Sequence, residues 1–315
     1  MSLAIGLDIG GTKIAVGIVD ETGHILRSFH AATPGKDARL IHSAIVAAVD
    51  EFKDGHDIVA VGIGAAGWIA QDRDTVLFSP HLAWRNERLQ SALQRDIDLP
   101  VFIENDANAA AWAEFRFGAA THQPLVLGVT LGTGIGGGII IDGELFRGAH
   151  GLAGEWGHMC VLPDGRQCAC GNRGCWEQYA SGPALERAAR ELAGSSPVAA
   201  AALMAVVDGD AEAINAVHVA QVAAAGDPAA RDIVQKVGYW LGQGIADIAA
   251  IFDPSIVVIG GGAAQIGPLI LNPAREHFKN VLAGRGFRPT VEIVGAKLGA
   301  EAGLIGAADL ARRSV

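Results

Sequence analysis

The chain reads as a mixed α/β protein built in two lobes, and three observations predict this. Its 315 residues, half of them apolar, exceed what a single core usually holds. A strand, glycine turn, strand, turn, strand pattern occurs twice. Ala-rich segments with helical periodicity follow each copy.

The first copy spans residues 3–26, with turns at Gly10-Gly11 and at 21–23. The second spans 125–146: the run LVLGVT, a Gly-rich turn, the run GGIII, the turn Asp142-Gly143 and a short strand ELF. Helices are expected over 40–52 and 108–117. Asp227-Pro228 is a cap followed by a first-turn proline, and it opens a long helix reaching about residue 251. An apolar strand at 255–260 then ends in Gly260-Gly261-Gly262. The Ala-rich stretch 197–225 reads as helical packing.

Composition excludes several function classes. The net charge of −10 comes from scattered acids, and no Lys/Arg-rich run is present, which argues against nucleic acid or an anionic membrane as partner. The N-terminal sequence lacks the order of a signal peptide, and the most apolar uncharged window, 125–141, contains six glycines and suits turns. Three of the four cysteines lie between 168 and 175, too close for a disulfide framework and suited to a metal in a reducing compartment, the cytoplasm by default.

Three glycine turns sit at strand ends: Gly10-Gly11-Thr12-Lys13, Gly132-Thr133-Gly134 and Gly260-Gly261-Gly262. Glycine lets backbone amides approach phosphate oxygens, and an adjacent hydroxyl or lysine adds directed donors. Each turn alone is also compatible with an ordinary hairpin. Residues 132–137 match the dinucleotide fingerprint, but a strand follows where that fold needs a helix, and no Walker A sequence occurs. Cys168, Cys170 and Cys175 form a C-x-C-x4-C cluster that suits tetrahedral zinc. His158 and Cys160 both qualify as the fourth ligand on spacing alone.

Five stretches, DIGGTK at 8–13, ENDANAAAWAE at 104–114, LGTGIGGGI at 131–139, GEWGH at 154–158 and CACGNRGCWE at 168–177, together resemble the ROK family of sugar kinases and repressors. The match is nearest to its ATP-dependent glucokinases and runs through the whole chain. The resemblance implies the actin-like, ribonuclease-H-like two-lobed fold shared with hexokinase, with a cleft for both substrates and closure upon the sugar. The expected lobes are 1–117, joined by the last helix at 303–315, and 118–302. The implied reaction is phosphorylation of the 6-hydroxyl of D-glucose by Mg-ATP. Other hexoses, among them N-acetylmannosamine, N-acetylglucosamine, fructose and mannose, are alternatives, as is a non-catalytic sugar sensor. Relatives that use polyphosphate generally lack the zinc cluster, which favours ATP as donor.

Residue by residue, Asp106 resembles the family's catalytic base, a carboxylate that takes the proton of the attacking hydroxyl. Asn105, Glu155, His158 and Glu177 resemble its sugar ligands, and the Gly67 loop is expected at the sugar. That loop departs from the commoner pattern at Ala65-Ala66, where many members carry a proline. The pair Asn105-Asp106 also reads as a turn capping a helix, a role compatible with catalysis. Asp8 is expected to organise Mg²⁺, and Gly10, Gly11, Thr12, Lys13, Thr133 and Gly134 to cradle phosphates. Gly261 and Gly262 are expected beside the adenosine. The family pattern selects His158 as zinc's fourth ligand, so that zinc is structural and fixes the loop presenting Glu155 and Glu177. Cys160 is then expected as a small buried hydrophobe, and Trp68 and Trp84 as packing residues. A repressor would carry a DNA-binding module ahead of this part, whereas here the first strand begins by Leu3. Relatives also imply a homo-dimer or homo-tetramer.

Overall fold

A computed structural model describes residues 2–35 and 37–315. Its first sheet has strands β1 (Leu3–Ile9), β2 (Lys13–Val19), β3 (Ile25–Ala32), β4 (Ile58–Ala65) and β8 (Val101–Asn105). Their order is β3-β2-β1-β4-β8, with β1, β2 and β3 antiparallel and β4 and β8 added in parallel. The glycine turn Gly10-Gly11 aligns Ile9 with Ile14 and Leu7 with Val16.

Alternation along β1 decides what each face carries. Ile5, Leu7 and Ile9 join a core with Ile41, Ile45, Val49 and Phe52 of the helix Ala38–Lys53. Ala4, Gly6 and Asp8 have the opposite parity, and Ala4 packs with Leu304 and Ala308 of the helix Ala302–Arg312. A Cβ on Gly6 would stand 2.0 Å from the Leu304 carbonyl oxygen, and one on Gly62 1.9 Å from that of Ala307. Small residues therefore let this helix lie directly on the sheet, and it brings Gly303 against Asp8. A small sheet of β5 (Trp68–Ile69), β6 (Val76–Phe78) and β7 (Arg85–Glu87) adjoins these elements in sequence. Trp84 is fully buried in the same core, and the Trp68 ring packs against Phe78, so both tryptophans have packing partners.

The second sheet repeats the order of the first. Its strands are β9 (Leu125–Leu131), β10 (Ile135–Ile141), β11 (Glu144–Leu145), β12 (Ile256–Gly260) and β13 (Glu292–Gly295), arranged β11-β10-β9-β12-β13. The duplicated pattern of the sequence is thus a duplicated sheet. One compact unit comprises the residues up to Gly128 with Gly137–Gly154 and Ala296–Val315; the other comprises Val129–Gly136 and Glu155–Gly295.

In the second unit the long helix spans Pro228–Phe252. The Asp227 side chain accepts the Ala230 amide at 2.8 Å, and Pro228 occupies the first turn, where no amide is needed. Its Gly238 and Gly242 let the helix Pro268–Val281 approach until added Cβ atoms would meet the Ile270 and Ala274 carbonyl oxygens. Among the described residues, no helix is long and apolar enough to cross a membrane.

Candidate active site and metal centre

In the first unit the site residues collect at the ends of β1, β4 and β8, where parallel strands leave their carboxyl ends for ligands. Asn105 closes β8 and caps the helix Asp106–Phe117. Its Oδ1 accepts the Asn108 amide at 2.9 Å, while its Nδ2 donates to the Gly67 carbonyl at 3.0 Å and to Asp106 Oδ1 at 3.1 Å. Asp106 Oδ1 also accepts the Ala107 amide at 2.9 Å. Asp106 therefore stands in the first helical turn, where the helix dipole favours an anion, with one oxygen held by two donors. Gly67 has φ +151°, and a Cβ there would lie 2.6 Å from the Phe78 carbonyl oxygen, so this bend requires glycine.

Behind this junction lies Glu104, which sequence reasoning did not single out. It is 4% exposed, and Oε1 accepts the Asn105 amide at 3.1 Å and Asn108 Nδ2 at 3.0 Å. Oε2 accepts Arg147 Nε at 2.7 Å. A buried carboxylate satisfied by both termini of the strand-to-helix junction holds it rigidly. Its sequence signal was weak, because Glu104 shares the parity of half-buried Phe102 and not that of the core residues Val101 and Ile103.

The turn Gly10–Lys13 is closed by the Gly10 amide donating to the Lys13 carbonyl at 2.9 Å, and Thr33 Oγ1 donates to the Gly10 carbonyl at 2.7 Å. Thr12 and Lys13 are exposed on this turn, available to a phosphate. Burial pushes the Asp8 carboxyl up to about 6; Lys13 opposes the rise and Glu301 adds to it. Glu301 Oε1 pairs with His30 Nε2 at 3.0 Å, while its buried Oε2 has no hydrogen-bond partner. Two neighbouring acidic side chains, one with an orphaned oxygen, suit a hard divalent cation such as Mg²⁺. Glu301 is a second residue that sequence reasoning passed over, because only the last helix brings it near Asp8.

In the second unit Gly132, Thr133 and Gly134 form the turn between β9 and β10, closed by the Gly132 amide on the Gly134 carbonyl at 3.0 Å. A Cβ on Gly134 would stand 2.5 Å from Glu177 Oε2, so the glycine admits this carboxylate beside the turn. Gly261 has φ +87° and lies against Leu131, where a Cβ would meet its carbonyl oxygen at 2.4 Å. Gly262 is exposed, with open space where a side chain would stand.

His158, Cys168, Cys170 and Cys175 bring one ligand atom each within 4.8 Å of one another. Cys170 Sγ and Cys175 Sγ are 3.6 Å apart, and Cys168 Sγ is 3.7 Å from His158 Nδ1. A tetrahedral ion about 2.3 Å from each sulfur needs edges of about 3.8 Å, so the donor set fits zinc. Burial pushes the Cys168 thiol up to about 11 and the Cys175 thiol up as well. The Cys168 thiol donates to Glu177 Oε1 at 3.1 Å. The other nitrogen of His158 lies 3.9 Å from Glu155 Oε2, so one ring faces the cysteines and an acid at once.

Trp176 anchors this loop. It is fully buried, its Nε1 donates to the Trp240 carbonyl at 2.7 Å, and its ring occupies the space left by Gly244. Both its neighbours, Cys175 and Glu177, are positioned by that anchor. Cys160 corrects an expectation: it is exposed rather than buried, and it stands outside the four-residue group. The alternation linking it to His158 fails because His158 lies in the 3₁₀ turn Trp156–His158, while Cys160 pairs with Cys175 in a β-bridge.

Comparison with known proteins gives this arrangement a lineage. The chain is 48% identical over 312 residues to a glucokinase of Streptomyces coelicolor, covering 99% of this chain and 98% of that one. A crystal structure of a ROK family glucokinase from Streptomyces griseus, in complex with glucose and AMPPNP, matches with a TM-score of 0.92 and 51% identity over 99% of this chain and 100% of that one. A ROK hexokinase from Thermus thermophilus matches with a TM-score of 0.80 and 34% identity over 99% and 98%. The actin-like α/β kinase fold expected from the sequence is thereby established. The ROK family model itself covers residues 4–314, and the chain belongs to the ROK family.

Proposed function

We propose that the chain is a glucokinase, transferring the γ-phosphoryl group of Mg-ATP to the 6-hydroxyl of D-glucose. The observation that carries this reading is the full-length likeness to a glucokinase solved with glucose and AMPPNP. The rigid Asn105-Asp106 junction supports it from within the chain.

A sugar hydroxyl is a weak acid, and its attack on phosphorus is assisted by a carboxylate that takes the proton as the bond forms. Asp106 takes that role: Oδ1 is fixed by the Asn105 side chain and the Ala107 amide, which orients the carboxylate. Asn105, the Gly67 loop, Glu155, His158 and Glu177 bind the sugar hydroxyls. Carboxylate acceptors favour ligands that bring neighbouring donors and reject analogues lacking them. Gly10, Gly11, Thr12, Lys13, Thr133 and Gly134 hold the phosphates, and Gly261 and Gly262 border the adenosine. Asp8, with Glu301 beside it, would hold Mg²⁺, and the ion would supply charge neutralisation at the phosphates.

His158, Cys168, Cys170 and Cys175 hold structural zinc, leaving no open position for substrate. As a zinc-bound thiolate Cys168 would no longer donate to Glu177, whose carboxylate would then accept from the sugar. The free thiols fit a cytoplasmic location. The reading also includes assembly into a homo-dimer or homo-tetramer, measurable by light scattering. It includes no nucleic-acid partner, in keeping with the net charge of −10.

ADP release by the zinc-loaded protein, offered glucose, mannose, fructose, N-acetylglucosamine and N-acetylmannosamine in parallel, tests the reading. Strong preference for glucose is expected. Preference for another of the five moves the specificity, and silence on all five replaces the kinase with a sugar sensor.

A further inference from the structure

On the first unit, a cavity of about 240 Å³ is lined by Arg73, Arg147 and Arg313, with Trp112, Ser314 and Glu144 among the remaining walls. It is smaller than a typical pocket for a drug-sized ligand, about 300 Å³ or more, and it is walled largely by polar groups. None of the three arginines belongs to the substrate or phosphate residues named above.

Positive charge is under-compensated there. Arg147 Nε donates to Glu104 Oε2 at 2.7 Å, and Arg73 Nη2 approaches the same oxygen at 3.6 Å, so two guanidinium groups share one carboxylate. Arg73 donates otherwise to the Ile103 carbonyl at 3.3 Å, and its buried Nε has no acceptor. Arg313 stands over the Trp112 ring, 5.7 Å from its centroid, without neutralisation by that ring. Glu144, the acid in the wall, is exposed to solvent.

The backbone commits Arg73 to this place. Its φ of +56° is left-handed, uncommon for a residue with a side chain. The turn is held by Asp72 Oδ1, which accepts the Asp74 and Thr75 amides at 3.0 and 3.1 Å. A guanidinium held in this manner is pre-organised for oxyanions, which it binds through paired N–H donors.

We propose that this cavity is a binding site for a small phosphate-bearing anion, separate from the residues that hold the nucleotide phosphates. Arg313 and Arg147 supply donors from two sides and Arg73 supplies the surplus charge. Because Arg73 and Arg147 also meet Glu104, an occupant bears upon the carboxylate that braces the Asn105-Asp106 junction.

Isothermal titration with inorganic phosphate, at ionic strength held constant with chloride, tests the site on the full chain. It is run with and without saturating glucose plus AMPPNP, so that the readout stays independent of turnover. One saturable site per chain is expected, and it is retained under both conditions. Arg313→Glu should weaken it at least about tenfold, roughly 1.4 kcal/mol, while turnover without phosphate stays unchanged. Should that variant misfold by circular dichroism, Arg313→Gln serves, with a smaller loss in the same direction. A hexose 6-phosphate binding more tightly than phosphate at the Arg313-dependent site identifies a sugar phosphate as occupant; equal or weaker binding identifies free phosphate. Absence of saturable binding, an unchanged affinity in both Arg313 variants, or displacement by glucose plus AMPPNP would overturn the proposal.

Discussion

Asn105 Nδ2 donates to Asp106 Oδ1 over 3.1 Å while Asn105 Oδ1 caps the helix that Asp106 begins. The same amide also holds the Gly67 carbonyl. One side chain therefore joins the sugar loop, the proposed base and the helix dipole. Asn105→Ala should cost about 1 kcal/mol through the lost cap and lower kcat by more than that stability change accounts for. Thermal unfolding and steady-state kinetics on the same sample separate the two effects.

Glu104 braces the junction from behind. Glu104→Gln keeps the shape but leaves Arg147 and Arg73 facing a neutral amide, which should destabilise the protein by about 1–3 kcal/mol. With the Asn105 amide less firmly held, kcat should fall while KM for glucose moves little. A fall in stability with unchanged kcat would show Glu104 to be structural only.

The zinc group makes a pH prediction. The Cys168 and Cys175 thiols are raised above the ordinary cysteine range by burial, so they are protonated at neutral pH before metal arrives. Binding releases those protons, hence apparent zinc affinity should rise with pH and fall in acid. Competition with a chromophoric chelator over roughly one pH unit on either side of neutrality measures the slope. Cys170→Ser should lose zinc and glucose affinity together; zinc loss with normal glucose affinity would separate the metal from the sugar loop.

Asp8 shows a conflict between stability and function. Its carboxyl is raised from 3.8 to about 6, chiefly by burial, so the folded state binds a proton more tightly than the unfolded state. The sign follows: this group favours folding at low pH, and that contribution is lost as pH rises through about 6. Asp8→Asn should therefore raise the midpoint of unfolding at pH 8 without Mg²⁺, measured at an alkaline pH about two units above the shifted carboxyl, and abolish most turnover. A lower midpoint in the Asp8→Asn variant under those conditions would contradict the electrostatic account of the site.

Much of this was legible in sequence because local rules and tertiary packing agree. Asp227-Pro228 marked the start of the long helix through its own capping chemistry, and Gly10-Gly11 set the first hairpin. The third strand continues to Ala32, well past the apolar residues that signalled it, because β3 is an exposed edge and carries no buried alternation. The partnership of Asp8 with Glu301 is 293 positions apart in sequence, and that of Glu104 with Arg147 spans 43 positions. Neither has a local signature, since each depends on how distant elements pack. Cys160 shows the opposite failure: a two-residue spacing suggested a shared face, and a 3₁₀ turn removed it.

The central claim is that Asp106 serves as base in glucose 6-phosphorylation. Its most direct measurement is glucose 6-phosphate formation from Mg-ATP by wild type and Asp106→Asn, with glucose binding followed by titration on both. The account predicts 6-phosphate from the wild type, glucose affinity retained in the variant, and kcat reduced about 10²- to 10⁴-fold. Near-normal turnover by Asp106→Asn, or no glucose 6-phosphate from the wild type, would contradict it.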